Sequence, residues 1–142
     1  MLDDRGMLDC LCRDADMGRA AAQHVLELIH NDALNTTVRE QLADYDHAYD
    51  SAARILCESG SEAPKSNPAA KAMTALSTDM QNMMDPTSSK IAQMMIQGNT
   101  MGVTTITKQL HQYEGGNGEI KELAKKQIRM EQRNIENLKK FL

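Results

Sequence analysis

The chain has 142 residues, with 16 Lys and Arg against 20 Asp and Glu for a formal net charge of -4, and 41% of its residues are apolar. That size suits one domain, and it buries enough surface to fold without a disulfide or a structural metal as a staple. There is no Trp, one Phe and three Tyr, beside 11 Met; this excludes an all-β fold, whose pleated faces need β-branched and aromatic side chains.

Four long segments carry apolar residues at alternating spacings of three and four, the mark of a helix with one buried stripe. In the first, from about residue 4 to 31, the stripe is Leu8, Leu11, Ala15, Gly18, Ala22, Val25 and Ile29. In the second it is Val38, Leu42, Tyr45, Tyr49, Ala52 and Leu56, up to a stop at Gly60. Thr37 and Glu40 have capping-box spacing, with Asn31 and Asn35 as earlier starts. Residues 60–68 hold Pro64 and Pro68 and form the single candidate linker. Asn67-Pro68 then opens a short helix through Met73, Leu76, Met80 and Met84, and Asp85-Pro86 opens the third long one. Its stripe is Ile91, Met95, Gly98, Gly102, Ile106, Leu110 and Tyr113. After the break at Gly115-Gly116-Asn117-Gly118, the last helix carries Ala124, Ile128, Glu131, Ile135, Leu138 and Leu142.

Such stripes must be buried against one another. The expected fold class is all-α: a four-helix bundle of two antiparallel helical hairpins, residues 4–59 and 87–142, joined by a crossover containing a short helix. Residues 1–142 are expected to form a single domain. Small stripe residues (Ala15, Gly18, Ala22, Ala48, Ala52, Gly98, Gly102) should let the helices approach closely, and Met side chains should fill the irregular gaps.

Two hairpins and a crossover are also the layout of the ferritin-like superfamily. The stretch from Lys71-Ala72-Met73 to Leu142 resembles the uncharacterised, stress-associated ferritin-like proteins, in which a short Met-containing crossover helix precedes two long helices. The resemblance implies a di-metal carboxylate site, built from one Glu on each of two helices and a Glu-x-x-His on each of the other two. This sequence departs from that pattern. The nearest match in the second helix, Asp44-Tyr45-Asp46-His47, puts His47 on the side away from the stripe. The third helix has Gln97, Gly98, Asn99, Thr100 and Gly102 where a carboxylate is needed, and Glu131 is followed by Asn134 instead of His. Neutral Asn is a poor ligand for a transition metal.

Two acidic residues still point inward. Glu131 lies on the stripe between Ile128 and Ile135, and Asp14 lies beside Ala15 at the edge of the first stripe. A buried carboxylate must be paired, hydrogen-bonded or protonated. One reading is a buried polar layer of Asp14, Tyr45, Tyr49 and Glu131, with Asn99 and Thr105 as further donors. The other is an altered metal site around Asp14 and Glu131.

The leading functional expectation is a non-catalytic ferritin-like bundle with a degenerate di-metal site, no cofactor, and a structural or interaction role. One alternative is a metal-binding protein of the iron or manganese oxidase or storage type, holding iron, manganese or zinc on a non-standard carboxylate site. Another is a carrier of an apolar small molecule in a Met-lined cavity, drawing on Met73, Met80, Met83, Met84, Met94, Met95 and Met101.

Charge and cysteine usage narrow the partners. Residues 1–63 carry 5 basic and 13 acidic groups, and residues 119–142 carry 7 and 4, which argues against the dense basic face that nucleic acid needs. The apolar runs are too short for a membrane span of roughly 20 residues, and Met1-Leu2-Asp3-Asp4-Arg5 has no signal-peptide character. A soluble, cytoplasmic protein with free Cys10, Cys12 and Cys57 is expected. Cys10 and Cys57 are placed opposite each other in the first hairpin, and His24, His30, His47 and His111 read as surface residues. A homo-oligomer, most simply a dimer, is expected, with Leu34 and Phe141 as candidate surface anchors.

Overall fold

The computed structural model describes residues 2–63 and 78–142. Helix α1 (Asp4–Leu26) opens where Asp3 accepts a hydrogen bond from the Gly6 N–H at 2.8 Å. It ends five residues earlier than the apolar rhythm suggests. The Leu28 N–H bonds the Val25 carbonyl at 2.9 Å, and the half-buried Leu28 and Ile29 cover the end of the bundle from within the turn. The hydrophobic pattern therefore outlasts the helix.

Helix α2 (Asp32–Glu58) is capped by Asn31, which accepts from the Leu34 N–H at 2.9 Å. Thr37 is thus a buried residue inside the helix and not its cap. Its other end is a Schellman motif: Gly60 adopts φ 81°, its N–H meets the Cys57 carbonyl at 3.1 Å, and the Ser61 N–H meets the Leu56 carbonyl at 3.0 Å. Of the short crossover helix, α3 (Thr78–Gln81) is described, with Met80 buried and Met84 exposed. The expected opening at Asn67-Pro68, with Met73 and Leu76, lies outside the described residues.

Helix α4 (Ser88–Gln112) is capped by Thr87, whose hydroxyl accepts from the Lys90 N–H at 3.1 Å. Asp85, expected as that cap, instead turns the chain at φ 49°, a conformation Asp tolerates better than most residues. Helix α5 (Gly118–Lys139) starts after Gly116 at φ 67°, with Asn117 accepting from the N–H groups of Glu119 at 3.0 Å and Ile120 at 3.3 Å.

Helix α1 packs along α2 and α4 along α5; the hairpins meet through α1–α4 and α2–α5. One apolar cluster gathers Met7, Leu11, Leu56, Ile106 and Ile120 at one end. A second gathers Val25, Leu34, Ile91, Met95 and Leu138 at the other. The end of α2 and the start of α4 therefore lie at opposite ends of the bundle. Leu34 is fully buried in the second cluster and Phe141 packs against it, so neither is a surface anchor. Among the described residues, no helix is long and apolar enough to cross a membrane.

Two expected stripe positions face out. Leu142 is exposed beyond the end of α5. Gly98 is exposed because the inward register of α4 runs Met95, Asn99, Gly102 and Ile106. A Cβ on Gly98 would meet nothing within 4 Å. Gly98→Ala should therefore stabilise the protein by about 0.5–1 kcal/mol, read as a higher urea midpoint with unchanged slope.

Candidate functional site

Between the two apolar clusters lies a band of polar side chains drawn from all four long helices. Glu131 and Asn134 of α5 are 1% exposed, and Asn99 of α4, Tyr45 of α2 and Gln127 of α5 are 2% exposed. A hydrogen-bond chain joins them. The Tyr45 hydroxyl donates to Asn99 Oδ1 at 2.6 Å and lies 3.2 Å from Glu131 Oε2. Asn134 Nδ2 donates to the same Asn99 oxygen at 3.1 Å, and Asn99 Nδ2 bonds the Met95 carbonyl at 2.8 Å. Gln127 Nε2 reaches Asp14 Oδ2 at 2.9 Å and the Leu11 carbonyl at 3.1 Å.

Asp14, half-buried on α1, hydrogen-bonds Glu131. Burial first, and then the Asp14 hydrogen bond and charge, push the Glu131 carboxyl up to about 11, so it holds its proton at neutral pH. Burial and the same acidic pair hold the Tyr45 hydroxyl well above the usual tyrosine range. Glycine makes the space: a Cβ on Gly102 would lie 2.6 Å from Asp14 Oδ1 and closer still to Glu131 Oε2. Among the described residues, three buried side-chain oxygens lack a hydrogen-bond partner, on Gln41, Gln127 and Glu131 (Oε1).

Tyr49 and Thr105, grouped with this layer by their spacing, lie at its margin, Tyr49 packed beside Ala15 and Tyr45 and Thr105 in the lining of the adjoining cavity. Tyr49 is half-buried one turn along α2, with the Arg19 guanidinium 4.3 Å above its ring. Arg19 also pairs with Asp16 and, at 3.3 Å, with Asp46. Thr105 is exposed. Gln127 and Gln41 are in the layer; their only signal in the sequence is a polar residue at a stripe-edge position. Asp44 and His47 line a separate cleft between α2 and α5.

Two further placements differ from expectation. His24 is half-buried, its Nε2 2.8 Å from the Met80 carbonyl, which ties α1 to the crossover. The three cysteines are free. Cys12 is the one buried in the apolar cluster beside Leu56, where it feels the Cys57 group electrostatically. Cys10 lines the α1–α4 side, because two residues turn a helix by about 200°. Burial pushes the thiols up, Cys10 to about 11 and Cys12 to about 12, so neither is an activated nucleophile.

A cavity of about 650 Å³ runs between α1 and α4 and reaches this layer. Met17, Met94, Met95 and Met101 wall it, and Asp14, Tyr45, Asn99 and Glu131 form its floor.

The layer is a poor fit for two metal ions. Its donors are one half-buried Asp, one protonated Glu, a tyrosine hydroxyl and neutral amides, and the amides already bond each other and Tyr45. Among the described residues, no three His, Cys, Asp or Glu side chains are grouped as a metal ion would require.

No protein-family model matches the sequence, and no curated protein does. Solved structures do match. A dodecameric thioferritin, the bacterioferritin-related protein from Bacteroides fragilis, superposes with a TM-score of 0.74 at 12% identity, over 99% of this chain and 86% of that one. A conserved hypothetical protein from Mycobacterium tuberculosis superposes with a TM-score of 0.72 at 14% identity, over 98% of this chain and 96% of the other. With its two hairpins, its long crossover and these superpositions, the chain has the ferritin-like four-helix-bundle fold.

Proposed function

We propose that this chain is a single-domain, non-catalytic ferritin-like bundle whose centre is a hydrogen-bonded polar layer in place of a di-metal site. Its role is structural or interaction-based, exercised as a cytoplasmic homo-oligomer. The observation that carries the reading is the Asn99–Tyr45–Asn134 chain, in which amides occupy inward positions on α4 and α5 and are already bonded. The thioferritin neighbour is described as dodecameric, which supports self-association, with a two-fold dimer as the simplest unit.

The adjacent carboxyl groups of Asp14 and Glu131 favour a second reading, a metal-binding protein with a non-standard carboxylate site for iron, manganese or zinc. Elemental analysis of protein purified without chelator separates the two. Under the first reading the protein carries no stoichiometric metal, and its helical circular dichroism is unchanged in EDTA. Domains that fold around a metal unfold under such treatment. Stoichiometric metal in the wild type that disappears in Glu131→Gln would establish the second reading instead.

A further inference from the structure

We propose that the cavity between α1 and α4 binds a small organic cation, an apolar body carrying a primary-amine head, with the amine seated on Asp14 and Glu131. Its volume of about 650 Å³ lies within the range of small-molecule sites. The thioether side chains of Met17, Met94, Met95 and Met101 give an apolar wall that adapts to the shape of its occupant. This surface reaches outward: Met17 and Met101 are 40% and 66% exposed.

The floor sets the sign of the ligand. Asp9 and Arg13 line the cavity with opposite charges, so its net charge comes from the acidic pair. Glu131 is 1% exposed, and its Oε1 is buried with no hydrogen-bond partner. The Tyr45 proton is directed at Asn99, 2.6 Å away, so the acidic floor meets an incoming head with acceptors, while Arg13, Gln97, Thr105 and Gln109 supply donors elsewhere in the lining. An ammonium supplies three donors and no acceptor; a carboxylate supplies the reverse.

The cavity can be narrowed without disturbing the fold. Gly98 lines it, and a Cβ there meets nothing within 4 Å. A leucine at this position extends into open space at the exposed edge of the cavity and narrows its mouth.

The test is calorimetric titration of the full-length protein with octylamine, octanol and octanoate. Wild type should bind octylamine about tenfold or more tightly than octanol and should not bind octanoate. Asp14→Asn should lower octylamine to the affinity of octanol while leaving octanol unchanged. Gly98→Leu should weaken binding of both without lowering the melting temperature. Equal affinity of wild type for amine and alcohol, undiminished binding by Gly98→Leu, or no octylamine binding at all would each overturn the proposal. Metal content of the same samples reports separately on the metal-free reading, so the two can fail independently.

Discussion

Glu131→Gln is expected to raise stability at pH 7 by about 3 kcal/mol, roughly 10 °C in melting temperature for a chain of this size. In the folded protein the Glu131 carboxyl keeps its proton up to about pH 11, against an ordinary value of 4.5. Between those limits the unfolded chain binds fewer protons at this group than the folded one, so raising the pH favours unfolding. The stability linked to the protonated group is complete below pH 4.5 and drains away as pH climbs towards 11, at about 1.4 kcal/mol per unit. Glutamine has the same shape, can donate to Asp14 in place of the carboxyl proton, and has no proton to lose. Urea melts at pH 5, 7 and 9 should therefore show wild type falling with pH, and the variant falling less. Parallel curves would mean that Glu131 is ionised in the folded state.

Gly18→Ala is expected to have a large effect of the opposite sign. Alanine gains about 1 kcal/mol over glycine in a helix interior, yet here its Cβ would lie 2.6 Å from Tyr45 Cδ1 and nearer still to Cε1 and Cζ. The ring cannot swing away freely. Its hydroxyl is fixed by Asn99 at 2.6 Å, with Glu131 Oε2 at 3.2 Å. The net cost should be about 1–3 kcal/mol, from overpacking together with weakened hydrogen bonds. Chemical denaturation of Gly18→Ala beside Gly98→Ala makes the comparison: one substitution on two inter-hairpin helices, one destabilising and one stabilising. Equal effects would show that Tyr45 yields at little cost.

The bundle was legible in the sequence because each helix announces itself twice, by its apolar stripe and by its punctuation. Gly60, Gly116 and Asn117 occupy the turns and cap that their chemistry suits. Where one signal stood alone it misled: the apolar rhythm of α1 runs on through Leu28 and Ile29, and Thr37 has cap spacing inside a helix. Glu131 stood out as a charge between two isoleucines. Gln127 and Gln41 did not, because a neutral amide at the edge of a stripe looks the same whether it meets solvent or another helix. A helical wheel also fixes angles only about its own axis. Which neighbour a residue meets depends on how the helices are rotated against each other, and this is why Asn99 replaces Gly98 and Cys12 replaces Cys10 on the faces assigned to them.

The first residues of the chain do more than lead into α1. Leu2 forms a bridge with Tyr113: its N–H meets the Gln112 carbonyl at 2.9 Å, and the Glu114 N–H meets the Leu2 carbonyl at 3.0 Å. The Tyr113 hydroxyl adds a bond to Asp4 and accepts from the Asn117 N–H at 3.2 Å. At this end the chain passes directly only from α4 to α5, so the bridge is the latch that holds the start of the first hairpin to the second. Chain termini ordinarily fray and exchange their amide protons within the free-opening regime. Here the Leu2 and Glu114 protons are held in bonds between the start of the first hairpin and the turn of the second. Their exchange rates are therefore a gauge of how firmly this latch holds.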